Sequence, residues 1–255
     1  MKAVIITVGN EILKGRTVNT NTAHIGSFLT HMGYDVLRNL VVKDDPDEIG
    51  WAFETALSVS DLVVSSGGLG PTFDDMTVPS FAKHFNIDLV ANQEALSFLR
   101  HKYQEQNLQV TPERLKMAML PAGSIAVKNS VGSAPGVFME LRGKKILILP
   151  GVPAEMKDIL SNASSLIGKG DLFYYEETLH LEGVMESSLA PFVSELMKKY
   201  SGKVYIKSHP LGMENNNPRL DVEVSSTGIN KKEVEDAVKN AIGEIRDHWK
   251  ERIGK

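Results

Sequence analysis

Ser65-Ser66-Gly67-Gly68-Leu69-Gly70-Pro71-Thr72-Phe73-Asp74-Asp75-Met76-Thr77 is the stretch on which the reading of this chain turns. It follows the apolar run Asp61-Leu62-Val63-Val64, which reads as a buried parallel strand, and precedes Val78 to Phe85, which reads as a short helix. A glycine-rich turn between strand and helix lets backbone N–H groups approach an anion, and the helix N-terminus adds positive partial charge. Gly67, Gly68 and Gly70 would supply positive φ or close backbone approach. Thr77 suits the N-cap, and Pro79 suits the first helical turn. Asp74 and Asp75 would repel a bare phosphate. They fit such a turn when a divalent cation stands between them and the phosphate oxygens. The residues alone point to a metal-assisted site for a phosphorylated ligand.

Outward from this loop the chain alternates strand and helix patterns. Strands are expected at Ala3–Val8, Asp35–Val42, Leu62–Ser65, Val137–Leu141 and Lys144–Leu149, the last two joined by Arg142-Gly143. Helices are expected at Asn21–Met32, Asp47–Val59, Gln93–Gln104, Pro112–Leu120 and Val152–Ile167. Apolar strands alternating with amphipathic helices predict an α/β fold, a three-layer, mostly parallel sheet covered on both faces. Around Gly168-Lys169-Gly170-Asp171 the pattern changes, which predicts a first domain over 1–170 and a second, smaller α+β domain over 171–255. The second reads strand Glu177–Leu181, helix Met185–Tyr200, strands Lys203–Ser208 and Leu220–Ser225, and helix Lys231–Ile253. A polar turn over Glu214–Pro218 would join its last two strands.

Bulk properties narrow the function classes. The 255 residues carry a formal net charge of −4, so nothing electrostatic favours nucleic acid or an anionic membrane. There are no cysteines, which excludes disulfides and thiolate metal sites and suits a reducing cytoplasm. The opening run Ala3–Val8 is too short to span a bilayer. A cytoplasmic location is the expectation.

Three further loops fall where strands end, the usual ligand edge of an open α/β sheet. Gly9-Asn10-Glu11 follows the first strand, and Glu11 reads either as a metal ligand or base, or as an acid favoured by a helix N-terminus. Asp44-Asp45-Pro46-Asp47 follows the second, where Asp45 or Asp47 suits a helix cap and Asp44 or Asp45 a supporting base. Asn129 to Gly136 pairs with Leu149 to Met156, both without bulky side chains where the chain turns, although Pro153 and Glu155 would equally suit a plain helix start. No GxxxxGK[ST], GxGxxG, GxSxG or HExxH motif is present. Any metal would be held by oxygen, favouring hard ions.

In this order the loops resemble the CinA family and the wider MoaB/MogA-like molybdopterin-binding domains. The matching residues are Gly9-Asn10-Glu11-Ile12-Leu13 with Gly15, Thr20-Asn21, and Gly67-Gly68-Leu69-Gly70-Pro71-Thr72 with Asp74-Asp75 and Thr77. Asn129 with Gly132, Ala134-Pro135-Gly136, and Pro150-Gly151-Val152-Pro153 with Glu155-Met156 complete the match, which covers roughly residues 1–168. The remainder resembles the small KH-type domain of CinA proteins. In that module 12 Lys and Arg stand against 14 Asp and Glu over residues 175–255, and no GxxG clamp is present, so RNA is not expected.

The resemblance implies a pyrophosphatase acting on ADP-ribose, or in related domains on FAD, with a divalent metal (Mg, Mn or Co) and K⁺. In that picture Asp74, Asp75 and Glu11 hold the metal and activate water, with Asp44 or Asp45 as supporting base. The other matched positions contact the nucleotide diphosphate: Gly9, Asn10, Asn21, Gly67 to Thr72, Thr77, Asn129, Gly132, Ala134 to Gly136, Pro150 to Pro153 and Glu155. A homo-oligomer, dimer or trimer, is implied as well. CinA proteins with a third domain deamidate nicotinamide mononucleotide there, and this sequence ends before it, so deamidation is not expected. Molybdopterin enzymes of the wider group show GGTG followed by Arg-Asp, whereas this chain has Leu69 and Asp74-Asp75. Pterin adenylylation and a non-catalytic nucleotide-binding module are the alternatives.

Overall fold

The structure, a computed structural model, describes residues 1–214 and 217–253. The chain divides into two compact units, Met1–Gly170 and Asp171–Lys255. No helix among the described residues is long and apolar enough to cross a membrane.

In the first unit β1 (Lys2–Val8) leads through a short helix α1 (Asn10–Leu13) to α2 (Thr20–His31) and β2 (Asp35–Val42). Next come α3 (Pro46–Val59), β3 (Leu62–Ser66), α4 (Thr77–His84), β4 (Leu89–Ala91), α5 (Gln93–Glu105) and α6 (Pro112–Leu115). A 3-10 turn over Lys116–Ala118 precedes β5 (Met119–Pro121), β6 (Ile125–Val127), β7 (Gly136–Leu141), β8 (Lys144–Leu149), α7 (Pro153–Asn162) and α8 (Ser164–Ile167). The main sheet runs β2-β1-β3-β8-β7-β6. Its β2, β1, β3 and β8 are mutually parallel, and β7 runs antiparallel to both β8 and β6.

Strand alternation divides the core into two layers. Val4, Ile6, Val8, Val63, Ile146 and Ile148 face Phe53, Phe81 and Leu99 from α3, α4 and α5. Ala3, Ile5, Leu62, Val64, Leu147 and Leu149 face Ile25, Leu29, Met156 and Ile159 from α2 and α7. Both faces are therefore covered, as continuous Val/Ile/Leu strands require. The α/β expectation holds.

Two local expectations differ. Pro112–Leu120 is not one helix: α6 stops at Leu115, and Met119–Pro121 pairs antiparallel with β4. The register Leu89↔Pro121 to Ala91↔Met119 satisfies the backbone where Pro121 could not continue a helix. The expected helix Val152–Ile167 breaks at Ala163. Its final carbonyls are then capped from the sheet side: the Tyr34 hydroxyl donates to Ile167 O at 2.7 Å, and Lys145 Nζ donates to Leu166 O and Ile167 O at 3.1 and 2.7 Å.

The second unit runs β9 (Phe173–Glu182), α9 (Glu186–Lys199), β10 (Tyr205–Glu214), β11 (Asn217–Gly228) and α10 (Lys231–Ile253). Its antiparallel sheet has the order β10-β11-β9 and buries Leu181, Leu220, Val222 and Val224 against Leu189, Val238, Ile242 and Ile245. All three strands reach beyond their expected limits. The turn expected over Glu214–Pro218 centres on Asn215 and Asn216, which lie outside the described residues.

Candidate functional site

The carboxyl ends of β1, β3 and β8 open onto a cleft of about 550 Å³. Gly9, Gly67, Gly68, Gly70, Gly132, Ala134 and Gly151 supply much of its wall as bare or nearly bare backbone, with Leu69, Pro71, Pro150 and Val152 between them. An open parallel sheet offers its ligand crevice at this edge.

The glycine loop has a rigid base. Gly67 N–H donates to Leu149 O at 2.9 Å, extending the β3–β8 ladder by one rung. That amide is committed to the sheet, so the expectation that it cradles phosphate is corrected. Glycine is needed there for another reason: φ is +114°, and a Cβ would stand 2.1 Å from the Val8 carbonyl oxygen. Thr77 is fully buried; its hydroxyl donates to Gly67 O at 2.7 Å and its N–H to Gly68 O at 3.1 Å. It is the first residue of α4, after Met76 at the N-cap position, and clasps the loop from beneath without lining the cleft. The N–H groups of Gly68, Leu69 and Gly70 have no acceptor among the described residues. These three, not Gly67, form the anion-directed arc.

The acids stand beside it. Asp74 and Asp75 both line the cleft. Thr72 does not, but its N–H donates to Asp75 Oδ2 at 2.9 Å. Its hydroxyl lies against both carboxylates, Asp74 and, at 2.7 Å, Asp75. The Thr72 hydroxyl holds the Asp74 carboxyl below the usual carboxylate range, with Asp74's own main chain and the Lys116 charge adding to it. Lys116 Nζ donates to Thr72 O at 2.8 Å and to Asp75 O at 2.6 Å.

Glu11, Asp44 and Glu155 complete the acidic lining, and among the described residues no Lys, Arg or His contributes to it. Asn10 reaches the site indirectly, its N–H donating to Asp44 Oδ2 at 2.9 Å. Asp45, expected among the catalytic acids, is placed elsewhere. Its Oδ1 accepts from Asp47 N–H at 3.1 Å and Glu48 N–H at 3.2 Å, capping α3. The Glu48 N–H in particular lowers its carboxyl below the usual range. Between the two adjacent aspartates, the cleft takes Asp44.

Several matched residues build the cleft and lie outside its lining. Asn21 Nδ2 donates to Ser66 Oγ and to Gly151 O, each at 2.8 Å, and Ser66 Oγ donates to Pro150 O at 3.0 Å. Asn21 thus ties α2 to the ends of β3 and β8. Asn129 Oδ1 accepts from Val131 and Gly132 N–H at 3.1 and 2.7 Å, while its Nδ2 donates to Ala134 O at 2.8 Å and Glu155 Oε2 at 2.7 Å. It shapes the 130–134 turn and aims Glu155. Gly136 is buried against Ile159, where a Cβ would approach to 2.3 Å. Pro135 borders a small hollow beside the cleft, and Pro153 a neighbouring pocket with Asn19 and Asn21.

Tyr103, Met117 and Ser133 line the cleft without having been singled out. Tyr103 carried a readable signal: with Ala95 and Leu99 it continues the apolar stripe of α5. Met117 follows a helix break that periodicity could not place.

The donor chemistry bears on a metal. Among the described residues no three His, Cys, Asp or Glu side chains come together closely enough to hold an ion by themselves. Asp74, Asp75 and Glu11 line one cleft and offer oxygen donors, the ligand type of a hard ion such as Mg²⁺, which is commonly held by one or two carboxylates together with ligand phosphates.

Comparison with known proteins agrees with this architecture. A protein of Caldivirga maquilingensis is 53% identical over 245 residues, covering 96% of this chain and 95% of the relative. A protein of Thermoplasma acidophilum is 52% identical over 243 residues, covering 94% of each. The crystal structure of the protein CinA from Thermoplasma acidophilum aligns at 57% identity with a TM-score of 0.63, covering 66% of this chain and 99% of that chain. Residues 4–167 match the family model described as "Probable molybdopterin binding domain". Over those residues, holding all of the cleft, the chain belongs to the molybdopterin-binding domain family.

Proposed function

We propose that this chain hydrolyses the diphosphate bond of a nucleotide such as ADP-ribose or FAD, with assistance from a divalent metal. One observation carries the reading: three acceptor-free backbone N–H groups share a cleft with five acidic side chains and no basic one. Such an arc attracts phosphate oxygens, while the acids repel them unless a cation intervenes.

Asp74, Asp75 and Glu11 would hold that cation, which when bound supplies charge neutralisation and a more acidic water. The Gly68–Gly70 amides bind phosphate oxygens and orient the anhydride. Thr72 keeps Asp74 and Asp75 turned to the cleft. Asp44, positioned by Asn10 N–H, accepts the proton of the attacking water as its oxygen bonds to phosphorus and the anhydride P–O bond breaks. Both products leave as phosphate monoesters.

A second reading, pterin binding or adenylylation, draws support from the family match. Tyr103 and Met117 give the cleft an apolar wall suited to any flat ring, adenine or pterin. For the second unit, the β-α-β-β-α order and three-stranded antiparallel sheet support a KH-type reading, without the GxxG clamp that RNA binding would call for.

One experiment separates the readings. The protein is incubated with ADP-ribose, FAD, or ATP plus molybdopterin, with and without Mg²⁺, Mn²⁺, Co²⁺ and K⁺, and products are identified by mass spectrometry. Metal-dependent AMP supports hydrolysis, and adenylylated pterin supports the second reading. Unchanged ADP-ribose and FAD under every metal overturn the hydrolase.

A further inference from the structure

We infer that Lys116 is a positioning residue for the acidic loop, gripping it by main-chain carbonyls at both ends so that the Asp74 and Asp75 carboxylates face the cleft without an ion pair. The inference rests on the metal-assisted reading above and assigns work to a residue that no cleft motif contains.

Lys116 opens the 3-10 turn Lys116–Ala118, and the buried Met117 and Ala118 anchor its backbone. From there Nζ reaches the Thr72 and Asp75 carbonyls, the two ends of the arc that carries both acids. It borders the hollow that Gly68, Gly70 and Asp75 share with the cleft. An ammonium so near two aspartates would ordinarily pair with them. Such a pair would occupy the oxygens a hard cation needs. Among the described residues Lys116 makes no ion pair, and its bonds go to carbonyl dipoles instead. Hydrogen bonds from a charged donor are stronger than neutral ones, so two of them fix the arc. Thr72 acts within the arc, its N–H and hydroxyl setting the carboxylate rotamers. The arc is held through its carbonyls by a cation that stays out of the cleft lining, while its two acids line the cleft.

Charge alone and positioning predict opposite results. Removing a positive charge beside two carboxylates should tighten metal binding if charge alone mattered. Loss of the grip should loosen it, because the carboxylates no longer share one direction.

The test compares the full chain with Lys116→Met, Lys116→Arg and Lys116→Gln, each checked by circular dichroism and melting temperature. Mn²⁺ binding is followed by electron paramagnetic resonance, and amide hydrogen exchange is followed over residues 72–76. Lys116→Met should weaken Mn²⁺ binding and speed exchange at those amides, each by about tenfold. Lys116→Arg should restore most of both. Lys116→Gln, which keeps donors without charge, should fall between them and serves if the Met variant does not fold. Tighter or unchanged Mn²⁺ binding with unchanged exchange in the folded variants overturns the inference. If the parent protein binds no Mn²⁺, the metal-assisted reading fails, and exchange alone judges the grip: faster supports it, unchanged overturns it.

Discussion

Replacing Asn21 by Ala discriminates between a ligand contact and a structural brace. Asn21 is 8% exposed and donates to Ser66 Oγ and Gly151 O at 2.8 Å each. Each such bond is worth about 1 kcal/mol net, and stranding the Gly151 carbonyl adds about 1–3 kcal/mol. One term opposes these: Asn21 Oδ1 is buried without a partner among the described residues. Removing it returns about 1 kcal/mol. The net loss is about 2–4 kcal/mol, which lowers the melting temperature of a unit this size by about 4–16 °C. Scanning calorimetry of the full chain without ligand reads the shift directly. Ser66→Ala, alone and combined with Asn21→Ala, should show a coupling of about 1 kcal/mol between the pair. If Asn21→Ala melts like the parent protein but no longer binds ADP-ribose in calorimetric titration, the brace is refuted and Asn21 is a ligand contact.

Asp45→Ala should lower the melting temperature by about 2–4 °C through loss of the α3 cap while leaving turnover unchanged. Asp44→Asn should do the reverse, and the opposite pattern in the paired assays would reassign the two aspartates. Thr72→Val removes the hydroxyl that depresses Asp74, so carboxyl NMR should show Asp74 titrating closer to 3.8. Because that carboxyl is lowered in the folded state, its contribution to stability is present above its unfolded value and fades as pH falls through the folded one; in Thr72→Val urea titrations this acid-side loss should shrink. Tyr200 is pushed up to about 12 by burial and by donating to Glu244. A raised tyrosine stabilises the fold below its unfolded value of 10, and that stability is lost as pH climbs toward about 12. Tyr200→Phe should flatten the alkaline limb of urea stability, and an unaltered limb would assign it to another group.

Period and punctuation made the sheet legible. Runs such as Val4-Ile5-Ile6 and Ile146-Leu147-Ile148 belong between two helical layers, and the Gly-rich turn after Leu62–Ser66 marked the ligand edge. The cleft acids Glu11, Asp74 and Asp75 were legible for the same reason, since they lie in the loops that follow strand ends. Three-residue strands such as β4 and β5 were not, because they show no alternation to read and β5 depends on a partner distant in sequence. Neither was the division of labour among matched residues. Gly67, Asn21, Thr77 and Asn129 sit in the motifs of the resemblance yet spend their polar groups on the protein itself. A motif marks both what touches a ligand and what holds those groups in place, and only hydrogen-bond geometry sorts the two. Asp44 and Asp45 differ by one residue, and α3 claims the second because its first amides need an acceptor.

The ring of acids gives the cleft an inverted response to salt. Where lysines and arginines receive an anion, added electrolyte weakens the encounter by screening attraction. Here the approaching phosphate meets Glu11, Asp44, Asp74, Asp75 and Glu155 first. Screening shortens the reach of that repulsion to roughly 8 Å at physiological ionic strength. Inorganic pyrophosphate offered without a divalent ion should therefore bind better in concentrated NaCl than in dilute buffer.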